Sequence, residues 1–481
     1  LVFTVSLPSL KADPPNILFL LMDDLGYGDL ACYNAASKIP TPNLDQLARE
    51  GMRFTNAHTP SGVCSPTRYA VLTGRYCWRT RLKTGVLQGD SPPLIEEERL
   101  TVADLLKSQA YQTAHVGKWH LGHTWHLLDE SKPITVDNID WSQPMKSGVL
   151  HQGFEYSYGL GKPAWVFAEN DKVLAVPSEP FDLGEGSAYF MGGNNNKGYR
   201  SPGYSHEQML PRFTEKAVQF IHRAAQSEKP FFLYFAPITP HKPVVPNKEF
   251  IGKSGAGIYG DFVVEMDHRI GQILHALDST GEANNTLIFF TADNGPENIA
   301  YDRIKEHGHY SMADWRGVKR DLWEGGNRVP FIVRWPGKVE AGSINGETVS
   351  LVDFMATTAA VVEQTLPDNA AEDSYNILPT LHGQNYKRPL REATVYHGSN
   401  GVLAIRQGDW VLIDGKTGMV SNEPEWFREE RGVQEHSQPR ELFNLANDPQ
   451  ELENQYSRQP AIADRMKKLL DRYVSTGRSR P

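Results

Sequence analysis

Cys64-Ser65-Pro66-Thr67-Arg68 sets a lone cysteine directly before a serine and a proline, with an arginine one turn further on. Ser65 as N-cap and Pro66 at the first helical position would start a helix that runs on through residues 69–72 to Thr73-Gly74. Cys64 then stands at a helix mouth. Unpaired N–H groups and the positive end of the helix dipole favour anions there, and Arg68 can reach back to the same spot. A group at Cys64 would therefore face a site suited to an anionic substrate.

Four short apolar runs each end in polar groups. NILFLLM at 16–22 leads into Asp23-Asp24, and residues 113–116 into Gly117-Lys118-Trp119-His120. PFFLYFA at 230–236 leads into a proline-stiffened turn around His241, and TLIFFT at 286–291 into Ala292-Asp293-Asn294-Gly295. Such runs read as strands buried on both faces of a largely parallel sheet. Taken singly the polar groups are ambiguous: Asp23-Asp24 also fits a solvated turn, Lys118 a surface lysine and His120 a structural histidine. In open α/β sheets, however, ligands bind at the carboxyl ends of the strands, so these positions converge on one site. Asp23, Asp24, Asp293 and Asn294 would be oxygen ligands, with Arg68, Lys118, His120, His241 and Lys319 as cations or donors. Hard oxygen ligands without Cys/His spacing point to Ca²⁺ or Mg²⁺ rather than zinc.

Helical patterns over 41–50, 101–109, 205–225, 261–277 and 350–362 separate these strands, giving an α/β fold. Over about 123–204 the periodicity fades, which marks an elaborated insertion and the place to look for pocket walls; Gly192-Gly193-Asn194-Asn195-Asn196 reads as a turn. A boundary is expected between 368 and 391, after which 393–396, 402–405 and 410–413 read as antiparallel strands and 460–473 as a closing helix.

The 481 residues carry 49 Lys+Arg against 58 Asp+Glu, and a net charge of −9 argues against a general nucleic-acid binder. Three cysteines are too few for a disulfide framework; Cys32 and Cys77 could pair, but free thiols are the preferred reading. No internal stretch approaches the ~18 apolar residues of a membrane span. Residues 1–12 resemble the tail of a secretory signal, so export to a periplasm or beyond, or to a lysosome in a eukaryote, is expected.

Cys64-Ser65-Pro66-Thr67-Arg68 with Thr73-Gly74 resembles the signature of the type I sulfatase family, and Gly117-Lys118-Trp119-His120 its second motif. The likeness is greatest to the arylsulfatase A and N-acetylgalactosamine-6-sulfatase branch and extends through Arg440-Glu441-Leu442-Phe443-Asn444-Leu445 and Asp448-Pro449. It implies an alkaline-phosphatase-like large domain with a mixed, mostly parallel central sheet between helices, over 13–375. A smaller C-terminal domain with an antiparallel sheet and a helix would occupy 376–481. It also implies that a maturation enzyme oxidises Cys64 to Cα-formylglycine, whose hydrated aldehyde attacks the sulfate ester. The cation, Ca²⁺ before Mg²⁺, would lie on Asp23, Asp24, Asp293, Asn294 and the group at Cys64. Arg68 and Lys118 would hold the diol and sulfate, Lys118 and Lys319 would contact sulfate oxygens, His241 or Lys319 would protonate the leaving oxygen, and His120 would take a proton as sulfate departs.

Two other functions compete: a phosphonate monoester or phosphodiester hydrolase of the same superfamily, and, with Cys64 unmodified, a non-catalytic binder of sulfated glycans. Trp165, Phe167, His397 and Ser399 are candidate pocket residues. The aryl or sugar identity of the ester and the oligomeric state are left open.

Overall fold

The computed structural model describes residues 14–182, 197–384 and 388–480; the leader-like segment 1–12 and the turn at 192–196 lie outside them. The apolar runs form strands because each is short, continuous and closed by polar turn residues, and those at 231–236 and 286–291 are also rich in aromatic or β-branched residues. Asn16–Met22 and Thr286–Ala292 are buried along their whole length, as is Phe231–Ala236. They lie side by side in a ten-stranded sheet. Its order is Ser343–Asn345, Met52–Phe54, Phe331–Arg334, Thr286–Ala292, Asn16–Met22, Phe231–Ala236, Gln112–Gly117, Tyr156–Leu160, Phe167–Glu169, Lys172–Val173.

The five strands from Thr286–Ala292 to Tyr156–Leu160 all run parallel, with Leu18 level with Leu233 and Ile288. Antiparallel strands flank them on both sides. One layer of helices contains Pro42–Glu50, Met209–Ala224 and Gly257–Thr280, and another contains Cys64–Thr73, Val102–Ser108 and Phe354–Val361. Phe19 of the central strand stacks on Tyr234 at 5.7 Å between ring centres and meets Phe354 at 4.3 Å.

A second sheet of four antiparallel strands follows, Thr394–His397, Leu403–Gln407, Trp410–Ile413 and Glu441–Asn444. Helix Pro460–Ser475 covers it with Met466 and Leu470 against Ile405, Leu412 and Leu442. The same apolar cluster includes Ala70, Tyr76 and Trp78, so this sheet packs directly behind the helix that begins at Cys64.

Three local readings change. Helix Cys64–Thr73 starts one residue before Ser65: the Thr67 amide donates to the Val63 carbonyl at 3.4 Å, which makes Val63 the N-cap and Cys64 the first helical residue. The Ser65 hydroxyl instead accepts from the Leu87 amide at 3.2 Å. The patternless stretch supplies Tyr156–Leu160, Phe167–Glu169 and Lys172–Val173 to the main sheet, strands whose Tyr, Gly and charged residues hide the alternation. Glu441–Asn444 is a strand too short to show a period. Among the described residues Cys32 and Cys77 are free thiols, as expected, and Cys64 likewise forms no disulfide.

Leu20 is fully buried at the centre of the sheet. Leu20→Ala should cost about 2–5 kcal/mol in urea unfolding, the lost transfer energy plus a cavity; a cost below 1 kcal/mol would contradict this packing.

Candidate active site

Because the five central strands are parallel, their carboxyl ends share one edge, and the polar residues that follow them meet there. Asp23 follows Met22, Lys118 follows Gly117, and Asp293 follows Ala292. Backbone bonds lock the ends together: the Asp293 amide donates to the Met22 carbonyl at 3.0 Å, Asp23 to Thr239 at 3.0 Å and Lys118 to Ala236 at 2.7 Å. Gly117 has φ 122°, and a Cβ there would lie 2.1 Å from the Ala236 carbonyl oxygen, so only glycine lets these two strand ends close up. Gly74 ends the cysteine-bearing helix in the left-handed region, with Ala371 and Met355 2.9 Å from the position of a Cβ.

Arg68, fully buried, reaches from that helix into the strand ends. Its Nε and a terminal nitrogen donate to Asp293 Oδ2 at 3.0 and 2.8 Å, the same terminal nitrogen is 3.6 Å from Asp23 Oδ2, and its other nitrogen donates to the Lys118 carbonyl at 2.9 Å. Lys118 Nζ donates to Asp23 Oδ2 at 2.6 Å, and Lys319 Nζ to Asp24 Oδ2 at 2.8 Å. His241 Nε2 is 3.8 Å from Asp24 Oδ2, and Asn294 Nδ2 donates to Asp24 Oδ1 at 2.7 Å. Across the site, His120 Nε2 lies 2.9 Å from the Leu87 carbonyl oxygen. A carbonyl only accepts, so Nε2 carries the proton and Nδ1 of the neutral ring keeps its lone pair. That Nδ1 is buried without a partner among the described residues.

Burial works against every charge here. It would raise the Asp23 carboxyl, but Lys118, His241, Arg68 and Lys319 outweigh it and hold that group far below the usual carboxylate range. Asp293 is pushed up to about 7 by burial and the Asp23 charge, against Arg68 and Lys118. Burial, then Lys118 and Arg68, hold the His120 imidazole well below its ordinary value, and burial with Lys319 lowers His241. Lys319 is raised despite burial, by Asp24, Cys64, Glu297 and Asp23. Burial pushes the Cys64 thiol up to about 12, so the residue as encoded is a protonated, poorly nucleophilic thiol at neutral pH.

The residues fit a hard divalent cation. Ligand atoms of Asp23, Asp24, Cys64 and Asp293 lie within 4.8 Å of one another, all buried. Asp23 Oδ1 and Asn294 Oδ1 are buried oxygens without a hydrogen-bond donor among the described residues, which is the state an inner oxygen ligand needs.

Of the pocket candidates, His397 and Ser399 come to the site edge through backbone. The His397 carbonyl accepts from the Ser61 hydroxyl at 3.0 Å and the Gly62 amide at 3.1 Å, just before Cys64, while the Ser399 carbonyl accepts from Gly85 at 2.7 Å. Trp165 is 5% exposed beneath the Lys162 ammonium. Phe167 does not join the site: it is a core residue stacked on Tyr158 at 5.8 Å and packed against Phe213. Glu297 and Arg320 escaped the sequence reading although each directly extends a motif. Glu297 accepts from both terminal nitrogens of Arg320, at 2.5 and 2.8 Å, and lies 3.9 Å from Lys319 Nζ.

Arg68→Met removes the buried cation between Asp23 and Asp293. It should destabilise the metal-free protein by about 3–5 kcal/mol in denaturant unfolding, because two carboxylates then face each other in a dry site; an unchanged midpoint would contradict the bridging role.

A family model described as Sulfatase matches residues 15–363. The chain is 34% identical to an N-acetylgalactosamine-6-O-sulfatase of Bacteroides thetaiotaomicron over 96% of this chain and 93% of that one. It is 33% identical to human arylsulfatase A over 83% of this chain and 74% of the relative. A solved structure from work on the metabolism of multiple glycosaminoglycans by Bacteroides thetaiotaomicron superposes with a TM-score of 0.82 at 33% identity, covering 96% of this chain and 100% of that one. A phosphonate monoester hydrolase of Agrobacterium radiobacter shares the fold, with a TM-score of 0.63 at 20% identity over 96% of each chain. With nearly three quarters of its length matched and its motif residues gathered at one sheet edge, the chain belongs to the sulfatase family and is a sulfuric ester hydrolase.

Proposed function

We propose that this sulfatase releases inorganic sulfate from a sulfated carbohydrate, using a formylglycine made from Cys64 and a Ca²⁺ ion. The observation that carries this reading is the convergence of Cys64 with Asp23, Asp24 and Asp293 under Arg68, Lys118 and Lys319. The likeness to a bacterial N-acetylgalactosamine-6-O-sulfatase along nearly the whole chain supports a sugar rather than an aryl ester. In the same reading the catalytic part spans 13–375 and a smaller part 376–481.

Converted by a maturation enzyme that reads Cys64 to Arg68, the residue supplies a hydrated aldehyde, one hydroxyl to attack sulfur and a second to let sulfate leave. Asp23, Asp24, Asp293, Asn294 and the group at position 64 would hold the Ca²⁺, with Mg²⁺ the less favoured alternative, and the bound ion would supply positive charge to offset that of the sulfate. Lys118 and Arg68 keep the diol and sulfate in place, and Lys118 and Lys319 reach the sulfate oxygens. His120 Nδ1, neutral and aimed by the Leu87 carbonyl, takes the proton of the second hydroxyl. The His241–Lys319 pair on Asp24 supplies the proton to the leaving oxygen.

A general acid or base contributes ~10²–10⁴-fold, and enzymatic accelerations total at least ~10⁶-fold, so the charged ring must supply the larger share. Cys64→Ala should fold normally and lose all measurable turnover of p-nitrophenyl sulfate, whereas His120→Ala should lose about 10²–10⁴-fold. Full activity in the Cys64 variant would sink the mechanism. The active protein's Cys64 peptide should be about 18 Da lighter than encoded. Chelator should remove the activity and Ca²⁺ restore it; turnover undiminished after chelation would remove the metal from the scheme. Faster hydrolysis of the matching phenylphosphonate than of the sulfate would favour the phosphonate hydrolase reading instead.

A further inference from the structure

Lys162 stands just beyond Tyr156–Leu160, the strand beside Gln112–Gly117, whose end carries Lys118. Neighbouring strands lie roughly 5 Å apart, and Gly117 is level with Gly159, so Lys162 follows two residues beyond the level of Lys118 on the edge where the site lies. The Lys162 backbone is pinned there: its carbonyl accepts from His123 Nε2 at 2.6 Å and Trp125 Nε1 at 2.9 Å. Gly89, two residues past the Leu87 that holds His120, lies directly opposite, its Cβ position 3.2 Å from Lys162 Cβ. The side chain rests on Trp165, with Nζ 2.9 Å from the ring centre, and Trp165 is itself wedged against His206 at 4.7 Å.

What Lys162 lacks is an anion. Among the described residues it has no salt bridge and no hydrogen-bond acceptor for Nζ, whereas Lys118 and Lys319 are both paired with carboxylates. Burial and then the Lys118 charge pull its pKa down to about 7. An ammonium held beside a second cation is costly unless an opposite charge arrives to offset it. That charge is not the scissile sulfate: Lys162 lies two residues further along than the level of Lys118, and the site carboxylates are paired with Arg68, Lys118 and Lys319 instead.

We propose that Lys162, carried on Trp165, is a specificity-determining cation that binds a second negative group of the substrate, a carboxylate or a further sulfate next to the ester being cleaved. This rests on the carbohydrate-sulfatase reading above and narrows it to polyanionic glycans. The contact is a charge-assisted hydrogen bond, and it discriminates between substrates without touching the reacting atoms.

The test is competition against p-nitrophenyl sulfate turnover by the formylglycine-bearing, Ca²⁺-loaded protein. Three competitors are compared: N-acetylgalactosamine 6-sulfate, the same sugar with a second sulfate, and a disaccharide in which it is linked to a uronic acid. The second sulfate, the uronate or both should tighten inhibition by about tenfold in the parent protein, and Lys162→Met should reduce that gain to less than about threefold. Lys162→Arg should restore it. No gain from either added charge in the parent protein, or a gain kept in Lys162→Met, overturns the proposal, and the two competitors separate carboxylate from sulfate recognition. If the parent protein releases sulfate neither from p-nitrophenyl sulfate nor from any of the three sugars, the sulfatase mechanism fails first and this inference falls with it.

Discussion

The buried guanidinium of Arg68 between Asp293 and Asp23 is the contact on which the rest of the site depends. Parallel strands deliver Asp23, Asp24 and Asp293 to one edge whether or not the edge can tolerate them, and three carboxylates in a water-poor cleft repel one another strongly. Arg68 arrives from a different layer, and its fork joins the helix bearing Cys64 to two strand ends and, through the Lys118 carbonyl, to a third. Lys118 and Lys319 complete the balance, one on each member of the Asp23-Asp24 pair. The arrangement holds Asp23 ionised and sets acceptor oxygens where a cation and an anionic ester have to meet.

Position 64 is fixed from behind as well. The His397 carbonyl, at the end of a strand in the C-terminal sheet, holds Ser61 and Gly62, and Ala70 lies in the same apolar cluster as Ile405 and Leu412. A buried charge network strengthens the joint. Glu324 accepts from Arg328 and from Arg406 of the small sheet and meets His58 Nε2 at 3.0 Å, while its amide donates to Glu451 at 2.7 Å. Removing Glu324 would leave the Arg328 and Arg406 guanidiniums buried without the anion they share, so the joint depends on that carboxylate.

The same edge carries backbone strain. Asp24, His120 and Arg320 have φ of 66°, 56° and 83°, a region non-glycine residues enter at about 1–3 kcal/mol each. Packing on both faces of the sheet and the ion pairs around Asp24 hold these conformations, which leaves little reorganisation for the moment of reaction.

The sequence by itself determined the class of fold and most of the site, because buried parallel strands leave a local imprint. A continuous apolar run closed by polar residues marks both a strand and the end where chemistry gathers, as at 16–24, 286–294 and 113–120. Strands with mixed faces leave none, so Tyr156–Leu160 looked irregular and the lysine just beyond it drew no notice. What tertiary structure alone decided was the partner of each group. Ser65 serves Leu87 rather than its own helix, Phe167 faces the core, Glu297 clamps Arg320, and Lys162 is left without a carboxylate among the described residues. Periodicity specifies which face of an element is buried; it carries no record of which side chain from a distant strand arrives opposite, and charge pairing in a dry site is set by that meeting.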